Sequence, residues 1–199
     1  MSTVPADAED TRGRILAAAW ELVLANGATA VRMRDVAAAA GVSRQLVYIH
    51  FGDRAGLLVA MARNHDEQSG FLERVAATRA LPPAEGLEAL LRTWFEYLPE
   101  ILPVAAGLQA AAAAGDEAAA AWSDRMADLR EAFRVAVARL RRDGRLTRGW
   151  TVDAAADWVW MRSHLSGWQQ LVGERGWTPK RYVDRTVRSI LAELVIPAG

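Results

Sequence analysis

Apolar residues recur at three- and four-residue spacing through most of the chain, the period of helices that turn one face inward. Over residues 11–25, Ile15, Ala18, Ala19 and Leu22 share such a face, and Asn26-Gly27 ends the helix. A second helix is expected over 33–40 and stops at Gly41. Ser43 caps a third that runs to Phe51, and Gly52-Asp53 then breaks the chain and caps a fourth. The fourth is expected to extend from Asp53 toward Ala80, where Leu81-Pro82-Pro83 stops it. Further helices are expected over 84–98, 101–114, 116–142, 152–174 and 179–195, separated by Pro99, Gly115, Asp143-Gly144, and Gly176 before Pro179. The pattern predicts an all-α chain of about nine helices, preceded by a disordered acidic tail over 1–10.

Two segments sustain the periodicity over many turns. Trp122, Met126, Leu129, Phe133, Ala136 and Leu140 form one packing seam, and Ala154, Trp158, Met161, Leu165, Trp168 and Val172 form another. The later segment carries a second apolar row, Trp160, His164, Gly167 and Leu171, and the last helix adds Val183, Val187, Ile190 and Leu194. Surplus apolar surface on two adjacent C-terminal helices fits a helix-bundle dimer interface; burial inside one large subunit core is the alternative.

Composition narrows the classes. In 199 residues, 52% hydrophobic, the chain has enough apolar side chains to fill a core, which excludes an intrinsically disordered protein. The absence of Cys excludes disulfide frameworks, thiolate metal sites and Cys nucleophiles, and makes a reducing, cytoplasmic location the expectation. Asp7, Glu9 and Asp10 replace the basic start of a secretory signal, and no run reaches the length of a membrane span. The 24 basic and 24 acidic residues cancel, so any attraction for nucleic acid must be local. No cofactor or metal site is expected: there are three His, no Cys, no phosphate loop and no nucleophile elbow, which also argues against an enzyme.

The local charge lies in residues 11–54, where six Arg (12, 14, 32, 34, 44 and 54) face Glu21, Asp35 and Asp53, six minus three leaving three positive charges. The same stretch holds two short helices joined by a Gly-containing turn, the arrangement of a helix-turn-helix. On a helical wheel Val47 and Phe51 fall on the inward side, with Gln45, Leu46 and Ile49 roughly opposite. An amide and two aliphatics facing outward suit a major groove, Gln pairing with adenine and aliphatics meeting thymine methyls. Arg44 and Tyr48 flank that face, where phosphate contact is expected, and Arg54 at the start of the next helix is placed to grip another phosphate.

Residues 11 to 58 resemble the DNA-binding domain of tetracycline-repressor-type (TetR family) transcriptional regulators. The resemblance rests on Arg14-Ile15-Leu16 leading into Gly27, then Val36-Ala37, Gly41-Val42-Ser43, Tyr48, His50-Phe51, Arg54 and Leu57-Leu58. It implies an all-helical homodimer with a three-helix helix-turn-helix domain over 11–57 and a helical effector-binding and dimerisation domain over 58–199. It also implies DNA contact at Ser43, Arg44, Gln45, Tyr48, His50 and Arg54. Arg32 stands where the family usually has a Thr or Ser cap, so a guanidinium replaces a hydroxyl there. The function so implied is a ligand-responsive regulator, a repressor that binds a palindromic operator, dimerises through its last two helices and is released by a small effector.

The C-terminal aromatic residues offer that effector a lining. Trp94, Phe95, Leu98, Met126, Phe133, Trp158, Met161, Leu165 and Trp168 suit an apolar or aromatic ligand, and Arg162 or His164 suits a polar group on it. Plain core packing is the competing role for each aromatic, a solvated face for Arg162 and a satisfied core histidine for His164. Two other functions compete. A helical ligand carrier or scaffold would show no salt-dependent affinity for duplex DNA, and an all-α enzyme would show turnover.

Overall fold

The structure is a computed structural model that describes residues 6–113 and 118–197. They form helices α1 (Ala6–Asn26), α2 (Met33–Ala40), α3 (Arg44–Phe51), α4 (Arg54–Gln68), α5 (Phe71–Ala77), α6 (Pro83–Ala113), α7 (Ala118–Arg142), α8 (Val152–Arg162), α9 (Leu165–Trp168) and α10 (Pro179–Leu194). A π-helical turn, Gln169–Glu174, continues α9, and the strand-like feature among the described residues is a single bridge between Leu146 and Val195. The fold is all-α, as the periodicity predicts. No helix among the described residues is long and apolar enough to cross a membrane.

The chain packs as two compact units. Among the described residues, one comprises 6–69 with 100–113 and 118–123, and the other 70–99 with 124–197. In the first unit α1 buries Ile15, Leu16, Ala19 and Val23, one inward stripe at helical spacing. Its first turn starts at Ala6, so residues 6–10 of the expected tail are helical; residues 1–5 lie outside the described residues. Met33, Val36 and Ala37 of α2 and Val47 and Phe51 of α3 complete the small core with Leu57, Leu58 and Met61 of α4. Residues 100–113 of α6 join it because Gly107 lies against Ala28: a Cβ on Gly107 would stand 2.3 Å from that of Ala28. Only a glycine permits that approach.

Three expected helix limits give way to tertiary context. The fourth helix ends at Gln68 because Gly70 adopts a left-handed φ of 68°, after which α5 begins. Helix α6 instead runs unbroken through Pro99 and Pro103, merging the segments expected over 84–98 and 101–114. An interior proline costs a helix about 3 kcal/mol. Leu98, Ile101, Val104 and Leu108 on either side are almost wholly buried, at about 1.5–3 kcal/mol each, so burial outweighs both breaks. The segment expected over 152–174 is interrupted at Ser163, where His164 caps α9.

The second unit has an aromatic interior. Tyr182 of α10 presents its ring edgewise to Phe95, centroids 5.5 Å apart, and to Trp168, 5.2 Å apart. Gly167 is required there, since a Cβ would lie 2.8 Å from the Tyr182 hydroxyl oxygen. Trp94 donates its indole N–H to the Ser163 carbonyl at 2.9 Å, which satisfies a carbonyl freed where α8 ends. His164 is half-buried, and its ring Nδ1 lies 2.9 Å from Ser166 Oγ and also accepts from the Ser166 N–H. Burial holds its pKa below the ordinary histidine range.

That depression has a testable sign. The folded state binds fewer protons at His164 than the unfolded chain does, so stability falls as pH drops below about 6.5 toward the lowered folded pKa. His164→Asn keeps a capping oxygen without the titration. The thermal midpoint of the native chain is expected to decline more between neutral pH and pH near 5 than that of His164→Asn. Parallel declines would mean that His164 is not the group responsible.

Candidate nucleic-acid interface

The candidate interface is built from α2, its turn and α3. Gly41 closes α2 at φ 67°, its N–H bonded to the carbonyls of Ala37 and Ala38, and Ser43 accepts the Leu46 N–H at 3.1 Å as the cap of α3. With Val47 and Phe51 locked inward, the helix has one orientation, which turns Gln45 and Ile49 to solvent and leaves Leu46 half-buried. Ile49 is 70% exposed, the highest value among the exposed large apolar residues described. Val42, in the turn, is half-buried. The three residues placed opposite the core by the wheel therefore share the outer face.

Beside α3 lies an open groove of about 500 Å³ lined by Val31, Arg32, Met33, Arg34, Arg44, Tyr48 and Arg54. Arg32 is exposed at the cap position of α2 with no side-chain capping bond, so its guanidinium is directed at solvent rather than spent on the helix. Arg34 is bonded to Asp35 at 3.2 Å, a solvent-exposed pair that holds it weakly. Arg44 donates to the Tyr48 hydroxyl at 3.1 Å with its guanidinium carbon 5.3 Å from the ring centre, and this bond raises its pKa. His50 is half-buried beside the Phe51 ring, centroids 5.9 Å apart. Two arginines escaped selection as site residues, Arg34 in the groove and Arg12, whose guanidinium carbon lies 5.5 Å from the Phe51 ring centre. Their signal was present in the charge count but not tied to a position, because neither lies on α3.

Arg54 lines the same groove while its half-buried side chain donates Nε to the Val31 carbonyl at 3.1 Å and Nη2 to the Ala28 carbonyl. These two bonds tether the start of α4 to the chain before α2. Arg54→Ala is therefore expected to lower the stability of the native chain by about 2 kcal/mol, the range of hydrogen bonds from a charged donor. Urea unfolding measures it, and an unchanged midpoint would show that the tether carries nothing.

The residues expected around an effector are dispersed in the second unit. Trp94, Leu98, Phe133, Leu165 and Trp168 are buried in its core. Trp158 donates its indole N–H to Glu193 at 2.9 Å and Arg162 bonds Ser189 Oγ at 2.6 Å, so both tie α8 to α10. Met126 is half-buried, whereas Met161 is 47% exposed. Sequence reasoning passed over Ser163, whose hydroxyl is buried and, among the described residues, has no hydrogen-bond partner. A buried hydroxyl of this kind has no periodic signature.

Helices α2 and α3 thus form a helix-turn-helix with an outward amide-and-aliphatic face beside an arginine-lined groove, a geometry that fits a DNA major groove. Residues 15–61 match the family model described as bacterial regulatory proteins, tetR family. Over 97 residues the chain is 41% identical to the HTH-type transcriptional repressor LfrR of Mycolicibacterium smegmatis, a match that spans 48% of each chain. The matched part is thus about half the length of that relative. A protein from Saccharomonospora viridis solved in complex with choline has the same fold, with a TM-score of 0.78 and 20% identity over 95% of this chain and 100% of that one. NalD, the secondary repressor of the MexAB-OprM multidrug efflux pump in Pseudomonas aeruginosa, aligns with a TM-score of 0.68 and 24% identity over 94% and 98%.

Proposed function

We propose that this chain is a ligand-responsive transcriptional repressor that binds a palindromic operator as a homodimer. The observation that carries the reading is the outer face of α3: Gln45 and Ile49 are held in solvent on a capped helix beside a groove lined by Arg32, Arg34 and Arg44. Placed in a major groove, that face meets base edges while the arginines meet phosphates. A twin subunit, joined through the last two helices, sets a second α3 about 34 Å away or at a small multiple of that distance. The small effector, apolar or aromatic, is taken by the second unit, with the buried Ser163 hydroxyl available to its polar atom. Binding there favours a conformer with the wrong spacing, and differential affinity for the two conformers lowers operator occupancy.

Selection of bound duplexes from a random pool at low ionic strength tests the reading. An inverted repeat is the expected product; a pool that remains random would overturn it. Within such a site, Gln45→Ala is expected to lose about 1–3 kcal/mol of discrimination at one base pair, measured by competition with mismatched duplexes. Unchanged preference would remove Gln45 from the base-reading set.

A further inference from the structure

We infer that α3 recognises the C5-methyl groups of pyrimidines, so that the half-site core beneath it consists of A·T pairs read through thymine methyls. The inference rests on the operator-binding reading above and specifies its chemistry. Guanine is usually read by a guanidinium or ammonium bidentate to its O6 and N7, and cytosine by a carboxylate accepting from its amino group. Helix α3 contains no Asp, Glu or Lys, and Arg44 is its one Arg.

Arg44 is held off the reading face. It donates to the Tyr48 hydroxyl and lies over the Tyr48 ring, one helical turn along the flank that borders the arginine groove. Arg54, the next cation along the chain, is tied to the carbonyls of Ala28 and Val31. His50 sits in the last turn of α3, half-buried beside Phe51, whereas base edges are met by the first turns of a recognition helix. What remains on the reading face is Gln45, which suits the adenine N6 and N7 edge, and the two aliphatic side chains of Leu46 and Ile49.

Ile49 fixes the role of the methyl group. An isoleucine left 70% exposed gains nothing within the subunit, and nothing polar on it can bond a base. Contact with a methyl group removes apolar surface from water on both partners, and the C5-methyl is the apolar group that a major groove offers. Recognition then depends on a single carbon of each contacted thymine rather than on its hydrogen-bonding edge.

The test uses the full chain and the duplex recovered by selection, with each thymine replaced in turn by deoxyuracil, which removes the methyl and leaves pairing intact. Affinity is expected to fall about four-fold at each contacted thymine, the effect of losing one buried methyl-sized group. Leu46→Ala/Ile49→Ala should bind thymine and uracil duplexes alike, with circular dichroism checking that trimming the half-buried Leu46 leaves the helices intact, and Ile49→Ala alone, at the exposed position, should lose the uracil effect at the thymine it contacts. A pool without preference removes the regulator reading and this inference with it. A selected duplex with G·C pairs under α3, equal affinity for thymine and uracil forms, or an undiminished uracil effect in the double variant removes this inference alone.

Discussion

Gly56→Ala is expected to destabilise the helix-turn-helix unit by about 3 kcal/mol or more and to abolish the proposed operator binding with it. Gly56 is the third residue of α4, and a Cβ there would lie 2.0 Å from the Phe51 carbonyl oxygen and 3.2 Å from its carbon. Both are backbone atoms at the end of α3, so no side-chain rotation can relieve the overlap. The Gly56 N–H is also fixed, donating at 2.7 Å to Asp53 Oδ1, the cap of α4. The methyl can be accommodated only if α3 and α4 separate, which uncovers Phe51 and places the reading face wrongly. Gly41→Ala supplies the contrast. That glycine has φ 67° but open space around its missing Cβ, so only the left-handed conformation opposes the change, at about 1–2 kcal/mol. Chemical unfolding should rank Gly56→Ala well below Gly41→Ala. The reverse order would mean that the α3–α4 junction is slack.

Operator affinity is expected to fall about a thousand-fold between about 50 and 200 mM salt. Arg32, Arg34 and Arg44 border the groove of each subunit, so a dimer brings six guanidiniums to phosphates, twice three. Each neutralised phosphate contributes about 0.9 to the slope of log affinity against log salt, giving a slope near −5. Arg32→Ala/Arg34→Ala removes four of these contacts and should flatten the slope to about −2, weakening all duplexes alike because phosphates carry no sequence. Fluorescence anisotropy over a salt series makes the measurement. An affinity indifferent to salt would favour the helical carrier or scaffold, and a slope half as steep would mean that one subunit binds at a time.

The turn and the helix caps of the first unit were legible in the sequence. Gly41, Ser43 and Asp53 occupy in the structure the turn and cap positions that their chemistry predicts, and the wheel that put Val47 and Phe51 inside put Ile49 outside. The aromatic richness of the second unit was equally plain, but not the partition of its members. Trp94 and Trp158 were equal candidates for the effector lining, yet one donates to a carbonyl deep in the core and the other bonds Glu193 at the α8–α10 contact. Their difference lies in residues 69 and 35 positions away, which no local pattern encodes.

By itself, the sequence determined the helical class, the turn and the direction in which α3 faces, because caps and the 3.6-residue period act between neighbours within a turn or two. Tertiary structure alone decided the rest. It carried α6 through Pro99 and Pro103, since burial on both sides outweighs two lost hydrogen bonds, and it broke the fourth helix at Gly70 and the eighth at Ser163. It also drew Arg54 away from solvent toward carbonyls 23 and 26 residues earlier in the chain. Whether an arginine serves a phosphate or its own backbone depends on which unsatisfied acceptors the fold brings within reach, and folding, not spacing, sets those distances.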